Sequence, residues 1–347
     1  MKRILFIILG VIAVVVLTLI SFLLYFWVTE WSPKNIENVG RVDVECSPVD
    51  HDTLKIISWN IGYGGLGDNM DFFYDGGKRV QDSRERTIEN INEIISFLKS
   101  NSDADFILLQ EVDSLSKRNY DINLYDLITS SLSGYTPYYA LNYNASFVPI
   151  PIASPIGRVK SGVLTLSRFG ALSALRYHYP SSFPFPVRLF NLKRCLLVTQ
   201  FETRGGKILT IGNTHNSAFD DGGMRREEFR FLKEFLSKHS DFIVAGDWNS
   251  NPPLYLPTKA EIENKYFSPL QLDSMEFGAG VRFVADLNNK SARYNYEPYQ
   301  KDKTATTLLD FAITSPDIVP LSVEVVDLGF HPSDHSPVIY KFVINTH

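Results

Sequence analysis

Hydrophobic positions in this chain follow distinct patterns along its 347 residues. From Ile4 to Val28 they form an uncharged run broken only by Gly10, Thr18 and Ser21. A bilayer core takes about 20 apolar residues in a helix, whereas the apolar part of a cleavable signal peptide holds roughly 7 to 15. The run is too long for a signal peptide, and Thr29-Glu30-Trp31-Ser32-Pro33 offers no small-residue cut site. Residues 1–31 are therefore expected to form an uncleaved membrane anchor, with Trp27 and Trp31 in the interfacial belt. Lys2 and Arg3 on the short N-terminal side predict a cytoplasmic N-terminus and an extracytoplasmic remainder. Residues 32–53 lack periodicity and carry Pro33 and Pro48, the pattern of a tether.

From Leu54 onward, short apolar runs alternate with amphipathic segments. Runs rich in Val, Ile, Leu and Phe predict strands at 54–61, 106–109, 163–166, 195–201, 207–212, 242–245, 309–314, 323–326 and 338–344. Two stretches repeat with helical period. Ser83 to Lys99 places Ile88, Ile91, Ile95 and Leu98 on one face, and Met224 to Lys238 does the same with Phe229, Leu232, Phe235 and Leu236. Many strands with two helices leading into strands predict packed α/β layers. With no internal repeat, residues 54–347 read as one domain.

Composition changes this picture little. The chain is 44% hydrophobic and 13% aromatic, enough for a large sheet-rich core. Its net charge is −5, and the anchor residues Lys2, Arg3 and Glu30 contribute +1, leaving −6 outside the membrane. An acidic domain lacks the broad basic footprint of a nucleic-acid binder. Cys46 and Cys195 make at most one bridge, which is no disulfide framework.

The informative residues are polar ones at the ends of apolar strands. Ile56-Ile57-Ser58-Trp59 runs into Asn60, and Phe106 to Leu109 into Gln110-Glu111. Leu209 to Thr214 runs into His215, and Phe242 to Gly246 into Asp247-Trp248-Asn249. Asp310 opens Phe311-Ala312-Ile313, and Ser333-Asp334-His335 precedes the last strand. Carboxylates at buried strand ends are costly unless paired or bound to metal. Oxygen ligands from Glu, Asp and Asn suit Mg²⁺, Mn²⁺ or Ca²⁺, and the close His/Cys cluster of a zinc site is missing. His215 and His335 add groups that exchange protons near neutral pH. Together these side chains point to hydrolytic chemistry.

In this order the segments resemble the motifs of the endonuclease/exonuclease/phosphatase superfamily, the DNase I-like group, over about Leu54 to Val343. The resemblance implies a four-layered α/β sandwich, two packed mixed sheets flanked by helices, with the site at one rim and the transmembrane helix added at the N-terminus. It further implies that Glu111 is a metal ligand, with Asn60 and Asp334 helping to hold the ion or its water. Asp247 would activate the attacking water and Asn249 fix the water or the phosphate. His335, oriented by Asp310, would donate to a phosphoryl oxygen, and His215 would give a second donor. Such roles match what phosphoryl transfer requires.

The residue after His215 is Asn216, where many relatives carry Leu, and no Tyr or Arg phosphate contact stands out. Tyr138, Tyr139 and Tyr143 are candidates for it. Lys78 and Arg79, in the loop Tyr74 to Arg79 after Asn60, are candidate phosphate contacts. Asp220 to Arg226 reads as a turn capping the second helix. His51, His178, His239, His331 and His347 carry no supporting pattern. The expected activity is phosphodiester hydrolysis with Mg²⁺, on a lipid head group, a small molecule or nucleic acid, with no protein partner. A membrane-tethered endonuclease and a non-catalytic binding module are the alternatives. The intact set Asn60, Glu111, Asp247, Asn249, Asp310, Asp334 and His335 argues against the last.

Overall fold

In the computed structural model, which describes residues 2–40, 45–220 and 223–344, the N-terminal apolar run is one helix, α1 (Lys2–Val28). It is long and apolar enough to cross a membrane. Strands β1 (Ile36–Asn38), β2 (Thr53–Asn60), β3 (Phe106–Asp113), β4 (Thr136–Val148), β5 (Gly157–Ser167), β6 (Ser173–His178) and β7 (Cys195–Glu202) follow. The set continues with β8 (Ile208–His215), β9 (Asp241–Asp247), β10 (Arg282–Val284), β11 (Asp310–Thr314), β12 (Val319–Val325) and β13 (Val338–Val343). They build a seven-stranded sheet, β1-β6-β7-β8-β9-β11-β10, and a six-stranded sheet, β12-β13-β2-β3-β5-β4.

The inner faces of the sheets meet in a core that includes Ile56, Phe106, Leu108, Leu197, Ile211, Ala245, Ala312 and Tyr340. On the outer face of the six-stranded sheet, α2 (Arg84–Ser100) and α3 (Leu124–Ser131) pack on Ile57, Trp59, Ile107 and Leu109. On the opposite side, α4 (Gly223–Leu236) covers Leu196, Val198, Val244 and Phe311. The four-layered α/β sandwich is the observed architecture, because each sheet must bury two faces.

Both predicted helices form. The buried stripe of α4 is Phe229, Leu232, Phe235 and Leu236, as its period predicts. That of α2 is Thr87, Asn90, Ile91, Ile94 and Leu98; Ile94 faces the sheet and Ile95 only borders it. Ser83 caps α2 by accepting from Arg86 N at 3.1 Å, and Asp220 Oδ2 accepts from Met224 N at 2.7 Å at the start of α4. Asp221, Gly222 and His347 lie outside the described residues.

The stretch expected to be a free tether is partly built into the domain. Ile36–Asn38 pairs antiparallel with β6 in register with Tyr177, Arg176 and Leu175, and Val49 is fully buried beside Thr203. Three residues are too short for a period to show. Cys46 is exposed, Cys195 is buried, and both are free.

Candidate active site

The strand registers assemble the site. In the parallel pair β8 and β9, His215 lies opposite Asp247, and in the antiparallel pair β9 and β11, Asp310 lies opposite Asp247. Neighbouring strands stand about 4.8 Å apart, so three residues distant in sequence become adjacent side chains at one rim. In the other sheet, β2 and β3 are parallel with Asn60 opposite Gln110, which brings Asn60 and Glu111 to the same rim. His335 arrives on the loop before β13, bridged to Ala292 and held by Trp59, whose Nε1 donates to its carbonyl at 2.8 Å.

Asp247 is the centre of this group. It accepts from Asn60 Nδ2 at 3.0 Å and from the Asn249 backbone N at 2.9 Å. Its Oδ2 stands 3.4 Å from His215 Nε2 and 3.7 Å from His335 Nε2. Burial raises its pKa, His335 opposes that, and Asp310 adds to it. Gly246 has φ 155°, and a Cβ there would lie 1.9 Å from the Thr214 carbonyl oxygen. Glycine is needed for the strand to deliver Asp247.

His335 Nδ1 bonds Asp310 Oδ2 at 2.7 Å. Burial lowers the His335 pKa, but the charges of Asp310 and Asp247 outweigh it and hold the imidazole well above its ordinary range. His215 is the opposite case. Burial, Arg194 and His335 all press its pKa well below the usual value, so it is neutral.

Glu111 sits where the β3–β5 register shifts between Leu109 and Val112, with φ 57°. That bulge turns its carboxylate into the cleft. Desolvation raises its pKa to about 7, the Arg118 cation opposes this, and Asp334 and Asp113 add repulsion. Its Oε1 stands 4.0 Å from His215 Nε2, beyond hydrogen-bond reach. Asp334 is buried and accepts from Asn295 Nδ2 at 2.6 Å. Asp75 lines the same cleft, its pKa raised to about 7 by desolvation and then by Asp334.

These residues fit a hard divalent cation. Three carboxylates repel one another in a desolvated cleft, the condition that a bound cation relieves. Among the described residues Asn60 Oδ1 accepts only the Gly62 amide, at 3.0 Å, and keeps a second lone pair. Asp247, Asp310 and His335 also cluster closely enough to chelate, but His335 and Asp310 are hydrogen-bonded to each other and Asp247 to Asn60 and Asn249, which favours the Glu111 and Asp334 side for an ion. A second such group, Glu89, Glu93 and His331, lies on the surface.

The cleft walls include Asn60, Glu111, His215, Asp247, Asn249, Asp334 and His335, with Asp310 directly behind His335. Lys78 and Arg79 do not reach it. Arg79 Nε donates to Asp71 at 2.7 Å and a second nitrogen to the Asn69 carbonyl, so it closes its own loop, while Lys78 is solvent-exposed. That loop sends Asp75 to the cleft instead. Tyr138, Tyr139 and Tyr143 use their hydroxyls on backbone groups of Ala171, Val112 and Phe190.

The cation missed by sequence reasoning is Arg194. It lines the cleft, is buried, and donates Nη1 to the His215 carbonyl at 3.2 Å. Among the described residues no carboxylate pairs with it within 4.0 Å. Only the antiparallel pairing of β7 with β8 brings the residue before Cys195 to the rim that holds His215. Asn216 explains its own departure from the pattern. Its carbonyl accepts from Asn249 Nδ2 at 2.9 Å, and its side chain donates to the buried Glu228 at 3.0 Å.

A four-layered sandwich whose rim carries a histidine–aspartate pair, a buried aspartate beside a second histidine, and a cleft of three carboxylates has the groups that hydrolysis of a phosphate ester requires. Residues 57–335 match the Endonuclease/Exonuclease/phosphatase family, and the chain belongs to it. No curated protein matches the chain by sequence. Among solved structures, an endonuclease/exonuclease/phosphatase from Beutenbergia cavernae aligns with TM-score 0.59 at 15% identity, covering 85% of this chain and 72% of that one. ANGEL2, a 2',3'-cyclic phosphatase solved with adenosine-2',3'-vanadate, gives TM-score 0.56 at 15% identity over 88% and 99% of the chains. D. rerio TDP2 with a single-strand DNA product gives 0.52 at 16% identity over 84% and 99%. These likenesses show the fold; the family match makes the chain a phosphoesterase-type hydrolase.

Proposed function

We propose that the chain is a membrane-tethered phosphodiesterase dependent on a divalent cation, Mg²⁺ with Mn²⁺ or Ca²⁺ as substitutes, acting on the extracytoplasmic side. The observation that carries it is the rim on which Asp247, His215 and the Asp310-bound His335 converge opposite Glu111 and Asp334. Glu111 and Asp334, with Asn60, would hold the cation, which when bound neutralises charge on the phosphoryl oxygens.

The chain's own groups supply the rest. Asp247, fixed by Asn60 and Asn249, takes hydrogen from the attacking water. The His335 imidazolium, braced by Asp310, donates to a phosphoryl oxygen as charge grows there. Neutral His215 and cationic Arg194 provide further donors on the same wall. Lys2 and Arg3 at the start of α1 support the outward placement of the domain.

A tethered nuclease is the second reading, favoured by the DNA product named for TDP2. The net −6 outside the anchor weighs against it. The full-length protein is expected to hydrolyse bis(p-nitrophenyl) phosphate with Mg²⁺, to stop with EDTA, and to lose activity in Glu111→Ala and His335→Ala while keeping wild-type circular dichroism. Hydrolysis persisting in both variants would refute the assignment.

A further inference from the structure

We propose that the catalytic domain rests on the bilayer through the segments around Ile152 and Phe185, and that its substrate is the phosphodiester of a membrane phospholipid. The proposal rests on the hydrolase reading above and assigns that site its substrate class.

The last turns of α1 are docked on the domain. Phe190 stacks on Phe22 and meets Phe26 edge-on, at centroid distances of 6.1 and 5.0 Å, and Phe147 lies 6.4 Å from Phe26. Just past the helix, Glu30 binds Lys193 Nζ at 2.7 Å and Arg188 at 3.5 Å. These contacts hold one face of the domain against the exit of the helix.

Length then sets depth. The 27 residues of α1 span about 40 Å at 1.5 Å per residue, against roughly 30 Å for a hydrocarbon core. Phe22 lies about 9 Å before Val28 along the axis, so Phe190 sits near the boundary of head groups and acyl chains. The segments carrying Phe147 and Phe190 also carry large apolar side chains left bare on the domain. Ile152 is 91% exposed, Phe185 55%, Val187 45% and Ile150 38%. Four such groups beside a docked span make a surface for lipid, where burial is favourable at about 25 cal/mol per Å².

The catalytic cleft opens beside this surface. Lys193 binds the helix exit through Glu30, and the next residue, Arg194, lines the cleft. Ser182, Phe183 and Pro184, leading into Phe185, wall a groove that shares Ala218, Phe219 and Phe267 with the cleft. Phe219 stacks on Tyr74 at 5.7 Å and meets Phe267 at 6.1 Å, an apolar lining for the glycerol and upper acyl region of a lipid. The Ser181 hydroxyl donates to Glu228 at 2.7 Å, and the same carboxylate holds Asn216 and Ser217, tying the membrane segment to the His215 wall. In the reaction, water forms one P–O bond and gives up a proton to Asp247, one ester P–O bond breaks, and in net the departing alkoxide takes up the proton that the water released.

The test uses the full chain in vesicles of phosphatidylcholine, phosphatidylglycerol and sphingomyelin. Nitroxide labels at Ile152→Cys and Phe185→Cys, on a Cys46→Ser background, are expected to be accessible to oxygen and shielded from a water-soluble nickel chelate. A label at Ser240→Cys should show the reverse. The double variant Ile152→Asp, Phe185→Asp is expected to lose about ten-fold or more of vesicle phospholipid hydrolysis and none on bis(p-nitrophenyl) phosphate. Labels as open to nickel as Ser240→Cys, or phospholipid left uncleaved by wild type that cleaves the soluble diester, would overturn the proposal and leave the hydrolase reading standing. Cleavage of single-stranded DNA alone would overturn it in favour of the nuclease.

Discussion

Asp310 illustrates how a single residue acts through another. Its carboxylate is fully buried behind His335 and bonds Nδ1, which orients the ring and favours its protonated form. Asp310→Asn is expected to lower kcat for a soluble diester by about 10² or more with KM little changed. Steady-state kinetics check this, and a change in KM alone would assign Asp310 to binding. Gly246 matters for a different reason, since any side chain there meets the Thr214 carbonyl. Gly246→Ala should destabilise the fold by at least about 2 kcal/mol, read as a Tm several degrees lower. Both residues sit in motifs visible in the chain, Gly246-Asp247-Trp248-Asn249 and Leu309-Asp310. Arg194 does not, because a lone arginine before an apolar run becomes a cleft residue only when β7 pairs with β8.

At the level of elements, the positions that apolar runs predicted as strands are strands, with ends moved by a few residues. The misses have physical causes. β4 interrupts its apolar residues with Asn142, Asn144 and Ser146 and shows no run of Val, Ile, Leu or Phe of strand length, although Tyr138, Ala140 and Tyr143 are buried along it. β1 is too short to register. His51 links the segment after β1 to the turn before β3, bonding Asp50 at 2.8 Å and Asp105 at 3.1 Å. Desolvation lowers its pKa, but the Asp50 hydrogen bond and the Asp105 charge outweigh it, for a net rise above 6.5. The Asp50 pKa is lowered from 3.8, chiefly by the same hydrogen bond. The linkage therefore stabilises the fold fully between about pH 3.8 and 6.5. It fades as pH rises through the folded His51 value, and in acid as Asp50 protonates. His51→Gln should lower Tm within that window and converge on wild type above it, measured by thermal unfolding across pH.

For the whole molecule, the boundary between the N-terminal apolar helix and the domain is the feature that folding changes most. A chain beginning at Thr53 lacks Val49, which is fully buried in the inter-sheet core, and the β1 edge strand. It is expected to be less stable than a chain beginning at Lys34 by at least about 2 kcal/mol, the order of one buried Val plus its strand contacts. Denaturant unfolding of the two forms measures this, and equal midpoints would return residues 32–53 to the role of a tether. The same boundary brings Lys193 to Glu30 and Arg194 to the cleft, joining the end of α1 to the cleft through consecutive residues.

The sequence by itself determined the long N-terminal apolar helix, the succession of strands and helices, and the polar residues that end them, because these follow from local period and from the cost of burying charge. Tertiary structure decided which of those residues meet. Registers between β8, β9 and β11 made neighbours of His215, Asp247 and Asp310, a bulge aimed Glu111, and ion pairs withdrew Arg79 from the cleft while pairing of β7 brought Arg194 in. Contacts between distant segments depend on how sheets pair and pack, and no local pattern encodes that geometry.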